Sequence, residues 1–144
     1  MLGIRDADHE ETSPKGATLI ISRLECVITG QARKVKLISR TNSSKAYGRY
    51  ETIEHFRCGF GLNPSYRNAV IKEPLKIAGV DENEEVRIVE ISDHPFFIAT
   101  LFLPQLSSRP SEPHPLIIAY LLGASSFHQR KEKSGDGVRR RGGF

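Results

Sequence analysis

The run Asp93-His94-Pro95-Phe96-Phe97-Ile98-Ala99-Thr100-Leu101-Phe102-Leu103-Pro104-Gln105-Leu106 carries the strongest fold signal in the chain. Residues 96–102 are apolar except for Thr100. A strand wetted on one face alternates apolar and polar side chains, whereas a strand covered on both faces reads as a continuous apolar run. Pro104, which has no N–H to give a ladder, ends it. A doubly covered strand needs a layer on each side, so the run predicts an α/β sheet domain.

The flanks extend the pattern. Upstream, residues 85–91 alternate Val86, Ile88 and Glu90 against Arg87, Val89 and Ile91, and residues 75–80 form a second strand, joined to the first by the polar turn 81–84. Asn63-Pro64-Ser65 opens a helix to about residue 72, with Asn63 as cap and Pro64 at its first position. Residues 50–62 read as one strand bent at Gly59 and Gly61, and 41–44 (Thr-Asn-Ser-Ser) as a turn. Residues 35–40, 24–29 and 17–22 supply further strands, and residues 1–16 are a loop. Downstream, Pro113-His114-Pro115 opens a last helix ending near Ser126. Two helices serve six or seven strands, so part of the sheet is exposed or is covered by other protein.

The 144 residues fit one domain. Their net charge of +4 lies entirely beyond residue 127, where Arg130, Lys131, Lys133, Arg139, Arg140 and Arg141 face only Glu132 and Asp136. Gly135, Gly137, Gly142 and Gly143 make that stretch a poor helix, and it reads as a solvated, disordered tail rather than a nucleic-acid surface. No apolar run reaches the ~18 residues of a membrane span, and the N-terminus has no secretory pattern. Cys26 and Cys58 are too few for a disulfide framework, and no His or Cys pair has metal-site spacing. The expectation is a cytoplasmic protein with no metal or cofactor.

Two motifs bring a resemblance into view. Residues 79–124 contain His94-Pro95-Phe96-Phe97, then Phe102-Leu103-Pro104-Gln105-Leu106, then Ser108-Arg109-Pro110 and His114-Pro115-Leu116. In that order they resemble the last segment of the class I glutamine amidotransferase domain of the CTP synthase kind. Upstream, Glu54-His55-Phe56-Arg57-Cys58-Gly59-Phe60-Gly61-Leu62-Asn63-Pro64 is similar, without a gap, to that family's Glu-Arg-His-Arg-His-Arg-Tyr-Glu-Val-Asn-Pro. The character is closest to stand-alone proteins related to the C-terminal region of CTP synthase. The resemblance implies the C-terminal part of a flavodoxin-like amidotransferase sheet with flanking helices, its N-terminal part missing. Residues 1–127 would be that partial domain and 128–144 the tail.

The resemblance also implies a chemistry, and the departures from it are specific. The family hydrolyses glutamine, supplying ammonia for CTP formation, with a cysteine on a Gly-x-Cys-x-Gly elbow, a histidine base and a glutamate that orients the base. Here the histidine position is Leu103 and the glutamate position is Gln105, and the elbow would lie upstream of the chain's first residue. Leu103 cannot accept a proton. Arg57 falls in the stretch that contacts substrate in the family, and its guanidinium fork suits a carboxylate. Cys58, beside Arg57 and His55, is the thiol in the more activating setting, whereas Cys26 sits in a strand-like run and reads as structural. His94 and His114 match structural His-Pro positions. No Gly-x-x-x-x-Gly-Lys-Ser/Thr loop serves ATP. An inactive glutaminase-like chain is therefore expected, with a partner chain supplying the missing part, or self-association, as the alternative role.

Overall fold

A computed structural model describes residues 3–24, 28–70, 72 and 74–139. The strands are β1 (Ala7–His9), β2 (Thr18–Arg23), β3 (Ala32–Leu37), β4 (Glu51–His55), β5 (Phe60–Leu62), β6 (Leu75–Val80), β7 (Val86–Ile91) and β8 (Ile98–Thr100). The helices are α1 (Asn42–Tyr47), α2 (Arg67–Val70) and α3 (Pro115–Arg139), with 3-10 turns at Pro64–Tyr66 and Pro104–Leu106. Five strands form one sheet in the order β4-β3-β6-β7-β8, and β1, β2 and β5 form a smaller one. Among the described residues only β1 and β2 pair in parallel, and the other strand pairings are antiparallel.

The five-stranded sheet separates two apolar clusters. One face carries Val35, Leu37, Ala78, Ile88, Phe56 and Phe102 and is closed by Tyr47 from α1 and Leu116 from α3. Phe56 and Phe102 meet edge to face, ring centroids 5.8 Å apart, and both are fully buried. The second cluster joins Leu75, Val86 and Ile91 to Leu62 and Ile20, so it holds the smaller sheet against the larger. Gly79 sits where β3, β6 and β7 crowd together: a Cβ there would lie 2.8 Å from Cδ1 of Ile88 and 3.1 Å from Cγ1 of Val35.

Five expectations are corrected, the first being that residues 1–16 are wholly loop: Ala7–His9 form β1, paired in parallel with β2. The apolar run 96–102 is not one strand covered on both faces: only Ile98–Thr100 pair, antiparallel to β7, at the sheet edge. Its apolar character has other causes, since Phe96 packs on Tyr120 of α3, Phe97 joins the second cluster and Phe102 turns into the first. Residues 50–62 form two strands in different sheets, because the chain crosses between sheets with Phe56 buried and tied to Gln31 and Gly30 by backbone hydrogen bonds.

Thr41 to Ser44 begin a helix rather than a turn. The Thr41 hydroxyl accepts from the Ser44 N–H and the Ser44 hydroxyl accepts from the Thr41 N–H, a reciprocal cap. The buried Glu90 carboxylate of β7 then accepts from the N–H groups of Asn42 and Ser43 and from the Ser43 hydroxyl. Finally, α3 overruns the stop expected near Ser126 and continues to Arg139, through the stretch that glycine content marks as a disordered tail. Half of the strand expected over 24–29, residues 25–27, lies outside the described residues, and residues 24, 28 and 29 are not in a strand.

Candidate functional site

The 3-10 turn Pro104–Leu106 follows β8, with Leu103 as the residue that enters it. Leu103 is 38% exposed, and Gln105 is exposed as well. The Leu103 N–H donates a long hydrogen bond, 3.5 Å, to the His55 carbonyl at the end of β4. That contact sets the turn beside the segment from His55 to Cys58. Arg57 is exposed and Cys58 is half-buried as a free thiol. The fold therefore brings the two motif segments together. At the turn itself it places an apolar side chain and an amide, neither of which can serve as a base. Cys26 lies outside the described residues.

The most organised polar cluster lies beneath this surface. Thr52 and Glu54 occupy alternate, inward positions of β4, while Glu51, Ile53 and His55 point out. Glu54 is 1% exposed, His114 4% and Tyr47 8%. The Tyr47 hydroxyl donates to Oε1 of Glu54 at 2.6 Å, and the Thr52 hydroxyl donates to the same oxygen at 3.1 Å. His114 Nδ1 accepts the Leu116 N–H at 3.2 Å, so the proton sits on Nε2, which faces the Glu54 carboxylate at 3.2 and 3.3 Å. The Arg49 guanidinium donates to the Thr52 hydroxyl from the rim.

The protonation states follow. Burial pushes the Glu54 carboxyl up, but hydrogen bonds from His114, Tyr47 and Thr52 outweigh it and hold the group below the usual carboxylate range. Burial, reinforced by the bond to Glu54, drives the Tyr47 hydroxyl far above its ordinary value. The cluster is an anion held by three donors, and it ties α1, β4 and the start of α3 together. Sealed from solvent, it braces these elements against one another. Sequence reasoning gave His114 a packing role but missed its partners. The available signal was Glu54 itself, a carboxylate in phase with the inward face of an alternating strand.

His94 keeps the turn role that its position suggests: Nδ1 accepts the Phe96 N–H and the ring stands edge-on to Phe97. Among the described residues no group of three His, Cys, Asp or Glu is placed to hold a metal ion. No helix among them is long and apolar enough to cross a membrane.

Comparison with known proteins gives a consistent answer. The chain is 35% identical over 133 residues to the CTP synthase of Carboxydothermus hydrogenoformans, covering 85% of this chain and 25% of that protein. It is 31% identical over 142 residues to the CTP synthase of Cytophaga hutchinsonii, covering 92% and 26%. It thus spans about a quarter of the length of these relatives. Among solved structures, it superposes on the Trypanosoma brucei CTPS glutaminase domain with bound acivicin at a TM-score of 0.81. The identity there is 22%, and the match covers 88% of this chain and 53% of that domain. No family model matches the chain.

Proposed function

The chain is related to the glutaminase domain of CTP synthase, and from that premise we propose that it is a cytoplasmic, glutaminase-like protein that does not hydrolyse glutamine on its own. The observation that carries the reading is the pair Leu103 and Gln105 on the turn after β8, at the positions where the resemblance calls for a histidine base and an orienting glutamate. Acyl transfer to a thiol needs a group that takes the thiol proton and returns it to the departing ammonia. Leu103 can do neither, and Gln105 carries no charge with which to stabilise an imidazolium. Arg57 remains as an exposed guanidinium beside this turn and is our choice for a retained carboxylate contact.

Ammonia release from glutamine by the purified chain, run beside a Cys58→Ala variant, tests the reading. The expected rate is the buffer background for both. Turnover that Cys58→Ala abolishes would overturn the proposal and make Cys58 the nucleophile.

Exposed apolar surface favours a second reading, in which the chain completes a glutaminase-like sheet with another chain. Ile53 on edge strand β4 is 65% exposed and the neighbouring Tyr50 81%. Ile118, Leu121 and Leu122 form an exposed stripe on α3. Open strand edges and apolar stripes are surfaces that proteins ordinarily cover. Sedimentation across a range of concentrations, with a dye that reports apolar surface, is expected to show self-association or dye binding. A compact, dye-negative monomer would refute this second reading.

A further inference from the structure

The two edges of the larger sheet are finished differently. At β4 the Leu37 N–H donates to the Tyr50 carbonyl, so by alternation Tyr50, Thr52 and Glu54 bond to β3. The backbone groups of Glu51, Ile53 and His55 point away, and the His55 carbonyl already accepts from Leu103. Glu51 is paired with Lys34 beside this edge. Charged side chains and a covering turn are devices that keep a strand edge from recruiting another chain.

The edge at β8 has neither. The Leu101 N–H donates to the Arg87 carbonyl and the Ile91 N–H to the Phe97 carbonyl, so Phe97, Ala99 and Leu101 are the residues that bond to β7. The N–H and C=O groups of Ile98 and Thr100 therefore point away from β7, and no strand among the described residues lies on that side. Residues 96–102 carry no charge, Ala99 is exposed, and no register shift interrupts the pairing with β7.

Both flanks of this edge are apolar pockets. On the face of Ala99 and Leu101, a pocket of about 250 Å3 is lined by Ile20, Leu62, Leu75, Val86 and Val89. The charged residue on it, Arg87, has its guanidinium bonded to Asp81. On the face of Ile98 and Thr100, a pocket of about 200 Å3 lies against Phe96, Leu116, Ile117 and Tyr120. Successive side chains of a strand point to opposite faces, so a strand laid along β8 would send them to the two pockets in turn. The fit calls for large apolar residues at successive positions, the pattern of a strand covered on both faces. A second copy of β8 does not supply it: paired symmetrically about residue 99, it would set Ala99 opposite Ala99 and leave the larger pocket unfilled. We propose that the outer edge of β8 takes an extended, apolar segment of a different polypeptide as an additional strand, hydrogen-bonded to Ile98 and Thr100 and with its side chains seated alternately in the two pockets. The proposal rests on the second reading above and names the edge that is completed and the kind of segment that completes it.

Titration of the full chain with the end-capped peptide Lys-Glu-Ile-Val-Leu-Val-Ile-Lys-Glu tests this through the backbone amides of Ile98 and Thr100. Saturable resonance shifts and slowed solvent exchange are expected at both, and neither with the same peptide carrying proline in place of its leucine. Thr100→Pro removes one outward N–H and keeps the bonds to β7, a change that an edge strand tolerates. Ala99→Phe places a ring in the larger pocket. Each is expected to weaken peptide binding at least tenfold. Should Thr100→Pro fail to fold, Ala99→Phe decides the matter. No saturable shift at Ile98 and Thr100, unchanged affinity in Ala99→Phe, or dimers that protect both amides without peptide would overturn the proposal. Self-association that leaves both amides exchanging freely would overturn this edge and leave the second reading intact, whereas a dye-negative monomer without peptide shifts would overturn both.

Discussion

Replacing Tyr47 with Phe removes one oxygen from the buried brace and leaves the ring in place. The ring keeps its edge-on contact with His114, centroids 5.5 Å apart, so no large cavity opens. Lost is the 2.6 Å bond to Oε1 of Glu54, which then depends on Thr52 and His114 alone. A hydrogen bond to a charged group contributes about 1.5–3 kcal/mol, and at 1% exposure no water replaces it, so a destabilisation of about 2 kcal/mol is expected near neutral pH. The pH dependence makes the test sharper. Glu54 titrates below its usual 4.5 in the fold, so its stabilisation is complete above that value and is lost as pH falls through the lowered one. Tyr47 titrates above its usual 10.0, so its contribution is complete below pH 10.0 and declines as pH rises beyond it. The difference between wild type and Tyr47→Phe should therefore form a plateau between those limits and shrink on both sides. Urea unfolding monitored by circular dichroism from acid to alkaline pH measures it. A difference below ~0.5 kcal/mol at neutral pH, the range of an ordinary surface change, would refute the assignment of Glu54 as a buried anion held by Tyr47.

Two further outcomes follow from packing. Gly79→Ala forces a methyl against Ile88 and Val35 and is expected to cost about 1–3 kcal/mol in chemical denaturation, as overpacking does in a closed core. Truncation before His128 removes a helical stretch whose described side chains are exposed; melting should shift only by the few degrees that correspond to less than ~1 kcal/mol, with a loss of helical dichroism.

Much of the sheet was legible in the sequence because its cause is local. The alternation over 86–91, the strand over 75–80 and the polar turn between them all appear as read. The apolar run 96–102 misled because periodicity reports burial and not the partner that provides it. Phe96 and Phe97 are half-buried, against a helix and one core, and Phe102 is buried in the other core, and only the three-dimensional fold distinguishes that from a strand covered on both faces. The start of α1 was missed for a similar reason. Its cap uses a serine where glutamate or glutamine is the familiar signal, and its strongest acceptor, Glu90, lies far along the chain. For the candidate site, Leu103, Gln105 and Arg57 were found through a motif and do lie on neighbouring segments. The pairings of Glu54 with His114 and of Asp81 with Arg87 join positions that no local pattern connects.

The passage of the chain from β4 into β5 bears on the order in which the protein assembles and loosens. β6 and β7 are joined by residues 81–85 alone, whereas β2 reaches β5 across residues 24–59. Closing the longer loop costs roughly 2 kcal/mol more in chain entropy. The interface that must repay this opens into an apolar pocket of about 250 Å3 between Ile20, Ile21 and Leu62 on one side and Leu75, Val86 and Val89 on the other. The small sheet is therefore expected to dock last and to open first. Amide protons of β2 and β5 should exchange with solvent well before those of β6 and β7. Opening of the small sheet would part Ser22 and Asn63 from Arg87 and wet that buried guanidinium while the larger sheet stayed folded.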